Sequence, residues 1–167
     1  MLPQHKRIRQ MKQSPEISEQ TDVVLLTENG DGITTVTLNR PNQYNALSEQ
    51  VLADMQLLLD QLSERHDIKV VIIASTGNAF CSGHDLKEMR ATPNKDYYQD
   101  LFRRCSLMMM TMVRMPQTVI TRVHGAATAA GCQLVANSDL AVASSTAQFA
   151  VSGVNLCLLY TSAAAAE

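Results

Sequence analysis

The run Lys69–Ser75, KVVIIAS, is apolar and largely β-branched at successive positions. A strand with one face in water alternates apolar and polar residues; one that does not alternate has both faces covered, as in a parallel sheet. Parallel neighbours cannot be joined by tight turns, so crossovers must flank this strand. TVITRV, Thr118–Val123, reads as the next buried strand of the same sheet.

The surrounding segments fit that plan. VVLLTENGDGITTVTLN, Val23–Asn39, reads as two β runs around Asn29-Gly30-Asp31-Gly32, the chemistry of a hairpin turn. Ser48 offers an N-cap, and Val51, Leu52, Met55, Leu58, Leu59 and Leu62 keep helical spacing up to the polar SERHD. A second long helix is expected over Asp96–Arg114, ended by Pro116. A short helix near Ala129–Ala136 and a strand at Asp139–Ala143 follow. The predicted order β, β, α, β, α, β, α, β makes an α/β domain with right-handed crossovers, whose ligands sit beyond the carboxyl ends of the strands.

Composition narrows the partners. With 14 basic and 16 acidic residues the chain carries no field to draw in nucleic acid or an anionic membrane, which leaves small molecules. No apolar run reaches the roughly eighteen residues of a membrane span. Cys81, Cys105, Cys132 and Cys157 keep no CxxC or His-paired spacing, so neither a metal site nor a disulfide framework is suggested, and a reducing compartment fits. At 167 residues and 46% hydrophobic composition, one domain is expected. Residues 1–20 are polar, and Lys6, Arg7, Arg9 and Lys12 precede the first acid, Glu16. A disordered extension is the favoured reading over an organelle-targeting segment. The expected location is cytoplasmic, with the mitochondrial matrix as the alternative.

Two segments occupy the ligand end of the sheet: GNAFCSGHDLKE after Ser75 and HGAATAAGCQ after Val123. Gly83 permits a sharp turn that frees the N–H of His84, and the small residues Ala126–Ala130 let a ligand approach unpaired N–H groups at a helix start. Two convergent donors of this kind make an oxyanion hole. The same small residues also serve close helix–sheet packing, and on chemistry alone both readings stay open.

RPNQYNALS (Arg40–Ser48), AFCSGHDLKEM (Ala79–Met89) and VHGAATAAGCQLVANSDLAVAS (Val123–Ser144) resemble, in order, three signatures of the crotonase, or enoyl-CoA hydratase/isomerase, superfamily. The pairing of SGHDLKE with AAGCQLVA most resembles the branch known as enoyl-CoA hydratase domain-containing protein 3 and its bacterial relatives. The resemblance spans about Val23–Leu156. It implies a crotonase-like spiral of ββα units, with residues 21–156 carrying its N-terminal part and 157–167 forming a tail unlike the family. It implies a fatty acyl-coenzyme A thioester as substrate, with no separate cofactor and no metal. Full-length members are trimers or hexamers, built in large part on a C-terminal portion that this chain lacks.

Carried over by position, the resemblance puts the two oxyanion donors on the N–H groups of His84 and Ala130. Coenzyme A would lie along Tyr44, Ala46, Asp85, Leu86 and Lys87. Family hydratases use two glutamates, and their places fall on Gln133 and Gly153, neither of which is a carboxylate. A glutamine amide cannot gain or lose a proton near neutral pH, so the resemblance implies weak or absent hydration, or acyl-CoA binding without catalysis. The His84 side chain reads as structural rather than chemical, and His124 likewise. Asp85 and Asp139 read as turn carboxylates, Cys132 as a packing residue, and the run Leu107–Met112 as a core face in preference to an acyl-chain wall.

Overall fold

The computed structural model describes residues 22–151. The extension at 1–20, the tail at 157–167, Gly153 and Cys157 lie outside the described residues.

The hairpin forms as the turn chemistry requires. Strands β1 (Val24–Gly30) and β2 (Ile33–Leu38) pair antiparallel. Gly30, Asp31 and Gly32 take φ of 83°, 51° and 75° between them, left-handed values that glycine adopts freely and aspartate tolerates. KVVIIAS supplies β3 (Val70–Ser75), parallel to β2 on one side and to β5 (Thr118–Val123) on the other. Beyond β5 lies β7 (Leu140–Ala143), also parallel. The five-stranded order is β1-β2-β3-β5-β7. Val71, Ile73 and Val119 are fully buried. Asp139 does not start β7 because it is tied to β5 at both its groups: its carboxylate accepts the Val119 N–H at 2.8 Å and its N–H donates to the Val119 carbonyl at 2.9 Å.

A second sheet, absent from the strand pattern, is the one the ββα resemblance implies. The three-residue strands β4 (Ala79–Cys81), β6 (Ala126–Thr128) and β8 (Gln148–Ala150) pair in parallel, in the order β4-β6-β8. Each follows one long strand directly, β4 after β3, β6 after β5 and β8 after β7. Helices come next: α2 (Leu86–Ala91) and α3 (Lys95–Arg114) after β4, and α4 (Ala130–Ala136) after β6. The repeating strand–strand–helix unit is the one implied by the family signatures. Alternation was readable, but three-residue strands are too short to show a period.

The helices are capped by the residues the sequence offers. Ser48 Oγ accepts the Val51 N–H at 3.2 Å to start α1 (Glu49–Ser63), and Asn94 accepts the Tyr97 N–H at 2.8 Å to start α3. A second cap on α1 comes from α2, where the Glu88 carboxylate accepts the Glu49 N–H at 2.9 Å. α1 lays Met55, Leu59 and Leu62 into one core with Met108 and Met112 of α3 and the strand residues above. Burying each such side chain contributes about 1.5–3 kcal/mol.

Candidate functional site

The first signature holds its loop through two side chains. Asn45, buried at φ 52°, accepts the Arg40 N–H at 2.8 Å and donates to the carbonyls of Thr76 and Ala79 at 2.7 and 2.8 Å. Arg40 donates to the Ala46 carbonyl at 2.9 Å and to Asp85 Oδ2 at 3.0 Å. The loop then runs alongside the second signature. Ser82 N–H donates to the Tyr44 carbonyl, Leu47 N–H to the Gly83 carbonyl and Asp85 N–H to the Leu47 carbonyl, at 3.1, 2.8 and 3.2 Å.

That ladder orients His84. Its neighbours Gly83 and Asp85 both bond toward Leu47, so the N–H of His84 faces the opposite side, as residues in extended chain alternate. Gly83, at φ 94°, is pressed against the third signature: a Cβ there would stand 2.9 Å from the Ala129 Cβ and 3.2 Å from the Ala130 nitrogen. The collision would be worse at Gly131, where a Cβ would run into the Cys81 carbonyl oxygen. Two glycines thus let β4 and the start of α4 approach closely. Ala130 is the first residue of α4, where an N–H has no partner within the helix; the N–H groups of Cys132 and Gln133 both go to the Ala129 carbonyl. Among the described residues neither the His84 nor the Ala130 N–H has an acceptor. Ala129 itself sits at φ 51°, ψ −121°, a glycine-like conformation that costs an alanine about 1–3 kcal/mol.

A cavity of about 350 Å³ opens beside these residues, lined by His84, Phe102, Cys105, Ser106, Met109, Met110, Gln133 and Asn137. The His84 ring stands edge to face against Phe102, centroids 5.2 Å apart at 71°. Burial pushes its pKa below the usual imidazole value. Burial also raises the Cys105 thiol to about 11 and the Cys81 thiol to about 12, which keeps both protonated at neutral pH. A larger hollow of about 500 Å³ between α1 and α3 holds none of the expected site residues.

The expected site residues therefore divide. His84 and Gln133 share the cavity, with Ala130 one helical turn from Gln133. Tyr44, Leu86 and Lys87 are exposed, Ala46 is buried under Arg40, and Asp85 is engaged by Arg40 while its other oxygen accepts the N–H groups of Lys87 and Glu88. Asp85 is thus a structural carboxylate in this geometry. His124 donates to the Gly77 carbonyl at 2.7 Å and lies outside the cavity. Cys132 is half-buried. The methionine run divides by helical rotation: Met108, Met109 and Met112 enter the core, Met110 is exposed, and Met109 and Met110 line the cavity. Phe102, Cys105 and Ser106 were not anticipated, since they reach the site across the fold from α3, and Asn137, one turn past Gln133, was passed over in the third signature. Among the described residues no group of three or more His, Cys, Asp or Glu side chains is gathered to hold a metal ion. No described helix is long and apolar enough to cross a membrane.

The family model for enoyl-CoA hydratase/isomerase matches residues 28–164. The chain belongs to that family. Among curated relatives, it is 42% identical over 140 residues to the rat protein "Enoyl-CoA hydratase domain-containing protein 3, mitochondrial", covering 84% of this chain and 47% of the relative. The human protein of that name is 44% identical over 128 residues, covering 77% of this chain and 42% of the relative. Among solved structures, an enoyl-CoA hydratase from Mycobacterium smegmatis superposes with a TM-score of 0.79 at 52% identity, covering 80% of this chain and 52% of that one. Human enoyl coenzyme A hydratase domain-containing protein 3 superposes with a TM-score of 0.72 at 42% identity, covering 80% of this chain and 53% of that one. The crotonase fold is therefore shown, and the chain spans about half the length of the curated relatives it matches.

Proposed function

We propose that this family member binds fatty acyl-coenzyme A thioesters and polarises their carbonyl between the N–H groups of His84 and Ala130. The observation that carries this reading is the close approach of Gly83 to Ala129 and Ala130, with both N–H groups left without an acceptor among the described residues. Donors fixed before the substrate arrives need no reorganisation as charge grows on the oxygen, and losing one elsewhere costs about 2.7–4 kcal/mol of transition-state stabilisation. Coenzyme A would run past Tyr44, Ala46, Asp85, Leu86 and Lys87. No further cofactor enters this reading.

Hydration also needs a group to move a proton to and from water. Gln133 fills the place of one family glutamate, and Gly153 that of the other. The Gln133 amide can hold a water or the thioester by hydrogen bonds and cannot deprotonate either. Hydration is accordingly weak or absent. A second reading, an acyl-CoA binder without turnover, is favoured by one observation: among the described residues no carboxylate lines the cavity. The relatives named mitochondrial support a mitochondrial location over a cytoplasmic one.

Crotonyl-CoA consumption measured beside a crotonyl-CoA binding titration tests the reading. Micromolar binding with slow turnover is expected; turnover without binding dependence, or no binding at all, sinks it. Ala130→Pro checks the second donor. Proline suits a first helical position, but Ala129 at φ 51°, ψ −121° lies outside the extended region favoured before proline, so circular dichroism must first establish that the fold is kept. With the fold intact by circular dichroism, any thioester chemistry should fall about 10²–10³-fold.

A further inference from the structure

Resting on the reading above, we propose that the His84 side chain is the proton-transfer group of this site, its Nε2 taking a proton from the carbon next to the thioester carbonyl and giving it back. The ring lines the cavity and, among the described residues, makes no hydrogen bond. Among the described residues its Nδ1 is buried without a partner, which leaves Nε2 as the nitrogen assigned to the chemistry. Phe102 fixes the plane of the ring. One residue thereby holds the carbonyl oxygen by its backbone and faces the neighbouring carbon by its side chain.

The step balances within the substrate. The C–H bond breaks as an N–H bond forms on Nε2; the C–H electron pair becomes a carbon–carbon double bond, and the carbonyl π pair moves onto the oxygen held by the two N–H groups. Reversal returns a proton, or a deuteron in heavy water. No oxidant or further reactant is required. With Nδ1–H unpartnered and the ring desolvated, the imidazolium is poorly stabilised and hands its proton back, which suits a shuttle. Burial likewise keeps the ring unprotonated at pH 7, free to accept a proton.

The other groups facing the ring do not compete. Ser106, Gln133 and Asn137 are not bases near neutral pH, and the Cys105 thiol is pushed up to about 11. Among the described residues no Asp, Glu, Lys or Arg lines the cavity. Asp85, next in sequence, is held by Arg40 and the α2 N–H groups.

The experiment is deuterium incorporation into butyryl-CoA in heavy water, followed by mass spectrometry on the full chain, beside a butyryl-CoA binding titration. Exchange next to the carbonyl is expected, falling about 10²–10³-fold in His84→Gln with affinity changed less than about threefold. In His84→Ala, which keeps the backbone N–H, added imidazole should restore part of the rate. Bound butyryl-CoA that never exchanges, or His84→Gln exchanging at the parent rate, overturns the inference and leaves the binding reading standing. Absence of butyryl-CoA binding sinks both. Should the variants fail to fold, the parent's pH profile decides: a rate rising through an imidazole titration below the usual value supports the shuttle, and a flat rate from about pH 5 to 8 rejects it.

Discussion

Both terminal nitrogens of Arg40 reach one oxygen of Asp85, at 3.1 and 3.0 Å. The other oxygen of that carboxylate caps α2. Arg40 also holds the Ala46 carbonyl, so a single guanidinium ties the first signature to the loop that carries His84. Both side chains are less than a fifth exposed. Removing one partner leaves the other charge poorly solvated, and Arg40→Met should lower unfolding free energy by about 2–3 kcal/mol, allowing for that partial exposure. Urea denaturation measures this; a loss under about 0.5 kcal/mol would mean the pair is replaceable by water.

Close approach of β4 and α4 has a direct test in glycine. Gly131→Ala drives a methyl into the Cys81 carbonyl, and backbone cannot yield as a side chain tip can. Expected are a stability loss of at least about 1–3 kcal/mol and loss of acyl-CoA binding. Gly30→Ala is the control. It strains a positive φ but meets nothing within 4 Å, so binding should be retained at a cost of about 1–2 kcal/mol.

Restoring the acids should restore hydration. Gln133→Glu with Gly153→Glu should hydrate crotonyl-CoA faster than the parent by about 10²-fold or more. Parent turnover already at that level would show that the two substitutions are not what limits the reaction.

Acid should weaken the fold through His84. Its pKa is lowered in the native state, while in the unfolded chain it titrates near about 6.5. Between the two values the unfolded state binds more protons, so stability is full above the unfolded value and declines as pH falls toward the folded one. Urea midpoints at pH 7.5 and 5 should therefore differ more in the parent than in His84→Gln. Equal differences would place the acid sensitivity elsewhere.

How much of this was legible beforehand depended on length. KVVIIAS announced a buried parallel strand because six residues suffice to show the absence of alternation, and α1 was readable from its apolar spacing and Ser48. β4, β6 and β8 left no such trace. The two donor segments could be located from Gly83 and the Ala126–Ala130 run, yet their mutual contact depends on Gly131 against Cys81, which no local pattern encodes. Asp85 looked equally like a ligand contact or a turn carboxylate until Arg40, 45 residues away in sequence, was found beside it. The His84 ring was read as structural because a lone histidine carries no periodicity; α3 crossing over it supplies most of the cavity wall.

The parallel sheet β4-β6-β8 binds the two donors to a common tolerance for length changes. His84 and Ala130 sit on successive windings of the chain, each a few residues past its own short strand. One residue inserted between β3 and β4 would slide that strand by about 3.3 Å and turn its side chains to the opposite face. Point changes in the Thr76–Asn78 connection can be absorbed locally, whereas a single-codon insertion there would separate the donors while leaving every residue of the three signatures unchanged.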